Sequence, residues 1–549
     1  MPKRQIIVIG GGFAGVFTAM ELEKRLGPEE ANICLVNREN YFVYQPMLPE
    51  IISGSIGLTD TVVPIRALCP RTNLVMREVE EIDLKARTVT VSPGFHPRAI
   101  VIHYDHLIIA MGAVPDFGGL PGFVEHVMPF RTLTDALRLR NRVISALEEA
   151  DIERDPDLRR KLLTFVVAGA GFSGVEVIAE LNDFVTGVTR HFRNIIPHQV
   201  HCVLVHSGKR ILPEMVESLG VFAQDQLIRR GVEIILNDRL IAVTSEKAIL
   251  KSGLEIPAKT IVSTVPSTID PVLKELDCPK ETGRLAVDKY LQLRGYEGEV
   301  WALGDCALVP TASGGSAPPT AQHAVREART AAENICAHIR GRPSQPFDFE
   351  ELGRLGSLGH HSAVAEVMGV RISGLVAWLL WRFVYLAKMP GLNRKVRVAA
   401  DWLIGLVFPP DFVQLKIGRP PGITEQHVEP GEIVFYQGDV GDSVYVIQQG
   451  QCEVLRTRKG VQQRVAVLGT GDYFGEMAVL HDASRNATIR ALSPLDLLVI
   501  AKRDFQKLKS NIPAFAKIFD DVATKRAVAD EAEKAMGAAS PNSPTSLTP

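Results

Sequence analysis

The sequence predicts an α/β chain of two doubly wound halves, the second inserted in the first, followed by apolar helices and a small all-β barrel. Three observations carry this. Two glycine turns each follow an apolar, β-rich run. Gln5-Ile6-Ile7-Val8-Ile9 leads into Gly10, Gly12 and Gly15, and Phe165-Val166-Val167-Ala168 leads into Gly169, Gly171 and Gly174. A further apolar strand ending in a turn, Val300-Trp301-Ala302-Leu303-Gly304-Asp305, comes after the second unit, so the first half resumes there. Beyond residue 427, short strand-like runs alternate with Gly431, Gly438, Gly441, Gly450, Gly469, Gly471 and Gly475, the spacing of a small barrel.

Taken in order, residues 5–26 read as strand, glycine turn and helix, and Ile33 to Val36 as the next strand. Leu107 to Gly112 is another buried strand and turn. Thr132 to Ala150 has helical spacing and ends in the polar run 151–161, read as a hinge. The second βαβ unit runs from Leu163 to about residue 266. A helix is expected from Thr320, because Pro318-Pro319 marks an N-terminus. Residues 366–410 hold three of the four tryptophans. The end, 526–549, is rich in Ala, Ser and Pro and is expected to be disordered.

At 549 residues the chain exceeds one hydrophobic core, and about three domains are expected. A net charge of -2 gives no support for a nucleic-acid partner. The seven cysteines, scattered and without a C-x-x-C, resemble neither a disulfide framework nor a zinc site, so no metal is expected. That usage suits a reducing, cytoplasmic setting. Two basic residues lead straight into a strand and a glycine turn, so no signal peptide is expected. No apolar stretch reaches the roughly 18 residues that span a bilayer.

Both glycine turns fit G-x-G-x-x-G between a strand and a helix. The glycines allow a tight turn and close approach of a pyrophosphate, and the next helix aims its positive N-terminus at it. Each half therefore reads as a Rossmann-like dinucleotide-binding domain. A chain that holds two dinucleotides can pass a hydride from one to the other.

The order of motifs resembles the two-dinucleotide flavoproteins, and within them the type II NADH:quinone oxidoreductases. The stretches that carry the resemblance are Asn40-Tyr41-Phe42-Val43-Tyr44-Gln45-Pro46-Met47-Leu48-Pro49-Glu50, Ala110-Met111-Gly112, Gly304-Asp305 and Pro318-Pro319-Thr320-Ala321-Gln322. The likeness covers residues 4–415. It implies FAD in the first half, with Gly10, Gly12, Gly15, Gly112 and Asp305 around it and Asp305 on the ribityl chain. The acid expected on the adenosine ribose is Asn37 here, which can still hydrogen-bond a hydroxyl. Gln322 would lie at the flavin's pyrimidine edge. One turn on, where the family usually carries glutamine, stands Arg326, followed by Glu327. Arg326 could add positive charge near the acceptor, or it could be a solvated or salt-bridged helix residue. Cys306 is expected to be a buried structural thiol.

In the second half Glu176 stands where the family carries an acid near the nicotinamide. It could equally be a first-turn carboxylate favoured by the helix dipole. The second strand, Cys202 to Val205, ends at His206-Ser207-Gly208-Lys209-Arg210. The acid expected there for NADH is missing, and His206, Lys209 and Arg210 would tolerate the 2′-phosphate of NADPH. NADH is therefore implied by the resemblance alone.

Ser373 to Ala387 and Trp402 to Phe408 are apolar, with Lys388, Arg394, Lys395 and Arg397 between them. Tryptophan flanked by Lys and Arg suits helices lying in the interface of an anionic membrane, where the family reaches its quinone. Core packing, or packing against a second copy in a homodimer, is the alternative.

Phe474-Gly475-Glu476-Met477-Ala478-Val479-Leu480 followed by Ser484-Arg485-Asn486-Ala487-Thr488 resembles the phosphate-binding cassette of cyclic nucleotide-binding domains. The resemblance implies backbone donors from Gly475 onward and Arg485 on a cyclic phosphate, with Glu476 on the ribose. Asn486 replaces the threonine that often marks cGMP, so cAMP is the better guess. No helix-turn-helix is found after Asp504.

The expected organisation is an FAD-binding domain over 1–160 and 269–345, an NAD(P)H-binding domain over 161–268, a membrane-associating segment over 346–415, a cyclic nucleotide-binding domain over 416–525 and a tail over 526–549. The expected function is FAD-dependent transfer from NAD(P)H to a membrane quinone at the cytoplasmic face. Cyclic nucleotide would regulate it through helices after Leu498. A soluble acceptor, or a sensor with little turnover, is the alternative.

Overall fold

The computed structural model describes residues 3–505, apart from 93–99, 118, 265–266, 313, 360, 409–410, 416–422, 440, 442, 459–460, 482–483 and 503–504. The chain forms two compact units, Met1–Leu415 and Lys416–Pro549.

In the first unit, apolar runs long enough to be buried on both faces make two parallel sheets, as such runs should. One sheet has the strand order Val300–Ala302, His106–Ile109, Arg4–Ile9, Ala31–Asn37, Asn73–Met76. Val8 sits between Leu35 and Ile108. The strand from residue 300 pairs with His106–Ile109, so the first half does resume after the second. The other sheet has the order Val127–Pro129, Thr260–Ser263, Thr164–Ala168, His201–Val205, Val232–Ile235. Its edge strand Val127–Pro129 lies before residue 161, and three residues ending in proline carry no periodic signal. Val114–Pro115 and Ser267–Thr268 pair antiparallel where the chain passes between the halves.

The polar run 151–161, read as a hinge, is mostly helical. Helix Leu133–Ile152 extends into it behind a capping box of Thr132 and Asp135, and helix Pro156–Leu162 starts on the Asp155 side chain. Only a short turn separates them. Helix Ala321–Ile339 begins at Thr320, whose side chain accepts from the His323 N–H. It buries Ala324, Ala328, Ala331, Ala332 and Ile335 and packs on helix Phe13–Arg25.

The first unit closes with an antiparallel sheet, Gly353–Ser357, Ala363–Val367 and Val370–Gly374, and helices Leu375–Lys388 and Leu392–Ile404. Here the tryptophans depart from the sequence reading. Trp378, Trp381 and Trp402 are 7%, 1% and 7% exposed, whereas Phe383, Leu392 and Val407 are 71%, 78% and 77% exposed. Indoles have more area to bury than any other side chain. Two of them also grip Arg382, whose guanidinium lies 3.8 Å from the Trp378 ring centre and 4.5 Å from that of Trp402. Among the described residues no helix is long and apolar enough to cross a membrane.

Among its described residues the second unit is all-β apart from helix Glu476–His481. Two four-stranded antiparallel sheets face each other. One runs Ile423–Val428, Leu495–Ala501, Ser443–Gln449, Tyr473–Phe474; the other runs Ile433–Phe435, Thr488–Ala491, Cys452–Arg458, Val461–Leu468. Leu498 lies within a strand, so no helix starts there. The helices expected after it and the tail 526–549 lie outside the described residues.

Candidate functional site

The first glycine turn divides three tasks among three glycines. Gly10 has φ +108°, and a Cβ there would lie 2.1 Å from the Ala110 carbonyl oxygen. A Cβ on Gly15 would lie 1.9 Å from the Gly10 carbonyl oxygen, which is the close approach of helix to strand. Gly12 is different: its backbone is ordinary, at φ -83° and ψ -167°, and a Cβ would meet no atom within 4 Å. Nothing internal requires glycine at Gly12. The open space at the N-terminus of Phe13–Arg25 fits a pyrophosphate.

Around that space stand the other expected residues. Asn37 ends its strand and accepts from the Gly11 N–H at 2.8 Å, while its amide donates to the Glu39 carbonyl. Gly112, at φ +67°, also faces open space. Asp305 sits in the turn Gly304–Cys306 and accepts from Arg131 at 3.1 Å. Burial raises the Asp305 carboxyl above its ordinary value, against the pull of Arg131. Cys306 is fully buried and burial pushes its thiol up to about 12, so it is an inert thiol. All seven cysteines are free.

Arg131 and Glu327 were missed by sequence reasoning. Glu327 is buried and accepts from the Gly304 N–H at 2.7 Å; burial pushes its carboxyl up to about 7. Helical phase explains the miss: the buried face of Ala321–Ile339 runs through Ala324, Glu327, Ala328 and Ala331. Arg326, on another face, is exposed and lies 5.3 Å over the Phe349 ring. Gln322 shares that face one turn back and donates to Glu351 at 2.7 Å.

The second glycine turn repeats the pattern. Gly169 has φ +104°, and a Cβ on Gly174 would lie 1.8 Å from its carbonyl oxygen. The Gly10 and Gly169 N–H groups each donate at 2.9 Å to the last buried carbonyl of the neighbouring strand, Val36 and Val205. Where Asn37 accepts from Gly11, His206 Nδ1 accepts from Ala170 at 3.3 Å. Arg210 turns away, donating to the Pro213 carbonyl at 3.0 Å, and Lys209 is exposed. A Cβ on Gly171 would lie 3.2 Å from Glu214 Oε1.

Glu176, on helix Phe172–Thr189, accepts from the Ser357 N–H at 3.0 Å, and burial pushes it up to about 8. Two more acids lie buried nearby and were not singled out from sequence. Glu50 accepts from the Trp402 indole at 2.9 Å, and Glu180 accepts from the Ser53 hydroxyl. Burial raises both, against the pull of Arg382 on Glu50, and the charge of Glu50 raises Glu180 further. They line a cavity of about 680 Å³ with Ser53, Arg140, Arg382 and Trp402.

In the barrel, Arg485 is buried and donates to the Gly475 and Ser443 carbonyls at 2.8 and 2.9 Å. Its guanidinium lies 4.3 Å from the Phe435 ring centre. Glu476 is buried, Ala487 and Thr488 are buried, and Asn486 is exposed. Thr488 Oγ1 accepts from the Gln437 N–H at 2.9 Å, and the Arg485 N–H donates to the Asp439 carbonyl, tying the cassette to the turn before it.

Comparison with known proteins agrees with this geometry. The pyridine nucleotide-disulphide oxidoreductase family matches residues 4–328, the NDH2 C-terminal domain residues 352–409 and the cyclic nucleotide-binding domain residues 425–511. The demethylphylloquinone reductase NdbB of Synechocystis is 30% identical over 409 residues, 73% of this chain and 96% of its own. The type II NADH:quinone oxidoreductase NdhA of Mycobacterium tuberculosis is 29% identical over 423 residues, 74% of this chain and 87% of its own. The chain belongs to the type II NADH:quinone oxidoreductase family. It carries a cyclic nucleotide-binding domain in addition. A structure of NDH2 from Plasmodium falciparum in complex with NADH shares the fold, with a TM-score of 0.69 at 18% identity, over 75% of this chain and 100% of that one.

Proposed function

We propose that this member of the family oxidises NADH through FAD and reduces a membrane quinone. The observation that carries the reading is the pair of matched glycine turns in one unit, with an open cradle at Gly12 and both Asn37 and Asp305 beside it. FAD, when bound, supplies the hydride-accepting and electron-passing chemistry. The chain's own residues bind, orient and hold protons. Gly12 admits the pyrophosphate, Asn37 takes the adenosine ribose, and Asp305 takes the ribityl hydroxyls, steadied by Arg131. Glu176, raised to about 8 by burial, holds a proton at neutral pH. Quinone reduction takes up one proton beyond the hydride.

The exposed apolar face of Leu375, Val376, Leu379, Phe383, Leu392 and Val407 supports a peripheral seat on the membrane. The buried Arg485 supports binding of a cyclic phosphate, with cAMP favoured by Asn486, and the fusion of the barrel to the oxidoreductase in one chain supports regulation of the enzyme by that ligand. The test is the visible spectrum of the purified protein under anaerobic conditions. Flavin absorbance should bleach on NADH and return on a quinone. A protein that gains no flavin absorbance when FAD is supplied overturns the reading.

A further inference from the structure

The nucleotide half lacks an acid at the end of its second strand, and the structure places one elsewhere. The loop after that strand is stapled to the glycine turn: the Leu212 N–H donates to the Ala170 carbonyl at 2.8 Å, and Ile211, Leu212 and Met215 are buried. Leu212 is held at φ +47°, a conformation that a branched side chain adopts only where its surroundings impose it. The Glu214 carbonyl accepts from Arg354, which is itself paired with Glu351 at 2.6 Å. So Glu214 is presented by an anchored segment although its side chain is exposed.

The carboxylate points into the notch between the glycine turn and the strand end. Glu214 Oε1 stands 3.2 Å from where a Gly171 Cβ would be. It also lies near enough to His206 to favour that ring's proton, although burial outweighs it and holds His206 below the ordinary imidazole value. In the first half nothing among the described residues lies within 4 Å of a Gly12 Cβ, and the atoms nearest a Gly11 Cβ are those of Asn37. His206 occupies the position equivalent to Asn37 and brings no negative charge. The two basic residues that would welcome a 2′-phosphate do not face the notch together, because Arg210 is turned to Pro213.

We propose that Glu214 is the specificity-determining acid of the nucleotide half, accepting from the adenosine ribose hydroxyls and repelling a 2′-phosphate, so that NADH is selected over NADPH. This rests on the reading of the second half as a pyridine-nucleotide site. A 2′-phosphate carries about -1.5 to -2 charges at neutral pH. Against one solvated carboxylate at contact distance, that amounts to roughly ten- to thirtyfold discrimination.

The test is calorimetry on the FAD-loaded protein with NAD+ and NADP+, which bind without reducing it. The wild-type chain should bind NAD+ at least about tenfold tighter. Glu214→Gln should weaken NAD+ and narrow the gap to a few-fold, and Glu214→Arg should bring NADP+ to parity or better. The melting temperature should not move, since the side chain is exposed. A wild-type preference for NADP+, or an unchanged ratio in both variants, overturns the assignment to Glu214 while leaving the nucleotide site intact. Binding of neither nucleotide overturns the nucleotide reading itself, and the proposal with it.

Discussion

Replacing Gly12 and Gly15 separately by alanine should separate cofactor binding from folding. The two glycines are three residues apart in one turn, yet their surroundings are opposite. At Gly15 a methyl carbon would stand 1.9 Å from the Gly10 carbonyl oxygen, a backbone atom that cannot rotate away. Helix and strand must part by more than 1 Å to reach van der Waals contact, and overpacking of this kind costs about 1–3 kcal/mol or more. At Gly12 the dihedral angles suit alanine and the methyl meets nothing within 4 Å. There the substitution should leave the flavin-free protein as stable or stabilise it by about 0.4–1 kcal/mol, through the entropy of the unfolded chain. The methyl would, however, occupy the pyrophosphate's approach. The assay is thermal melting of each variant with and without added FAD, together with flavin content after purification. Gly12→Ala should melt like the flavin-free wild type and gain nothing from FAD. Saturating FAD should add about 4 kcal/mol to the wild type at a thousand times its dissociation constant. Gly15→Ala should lose stability with or without FAD. A Gly12→Ala protein that purifies with a full complement of flavin and shows the wild-type shift would refute the placement of the pyrophosphate at Gly12. A Gly15→Ala protein as stable as wild type would refute the packing argument.

Three further outcomes follow from the same residues. Burial raises Glu176 from 4.5 to about 8, so its contribution to stability is complete below about pH 4.5 and is lost progressively as pH rises to about 8; Glu176→Gln should flatten the decline in melting temperature between about pH 5 and 8, and an unchanged slope would assign the decline to other groups. Phe383→Glu with Val407→Glu should release the protein from anionic vesicles at low salt without loss of fold, whereas Trp381→Ala should cost about 3–5 kcal/mol because its indole is fully buried; retention of the double variant on vesicles would remove that face from the membrane. Arg485→Ala should abolish the heat of cAMP binding to the whole protein, since a charge-assisted contact to phosphate is worth about 1.5–3 kcal/mol; no heat from the wild-type chain with cAMP or cGMP would make the barrel a domain without ligand.

What was legible in the sequence was local. Each glycine turn declares itself within six residues, and Thr320 behind two prolines marks its helix. The barrel's positive-φ turns Gly431, Gly438, Gly450, Gly471 and Gly475 all carry glycine. What was not legible depends on packing between distant segments. Arg131 meets Asp305 across 174 residues. Glu327 rather than Arg326 faces Gly304 because it lies on the face that Ala324, Ala328 and Ala331 bury, and what that face meets is set by a strand end 23 residues away in sequence. The tryptophans at 378, 381 and 402 look interfacial beside Lys and Arg, but composition cannot tell which face of a helix is covered. Burial took the largest side chains and left leucine, valine and phenylalanine outside.

The contrast between the halves follows from how the chain closes around two nearly identical turns. Gly10 and Gly169, and Gly15 and Gly174, make the same backbone contacts to within about 0.1 Å, so any difference in how the two nucleotides are held must come from what surrounds the turns. Around the first, the returning chain adds the strand Val300–Ala302, the turn carrying Asp305 and the buried Glu327 bonded to Gly304. A ligand there is approached by segments from both ends of the unit, and its release would disturb contacts between them. Around the second, Glu214 beside Gly171 and Lys209 beyond the strand end are both exposed. A site rimmed by solvated side chains loses few protein contacts when its ligand leaves. That asymmetry is what an enzyme needs if one dinucleotide stays through every turnover and the other must exchange in each, and it arises from chain connectivity rather than from the fingerprints themselves.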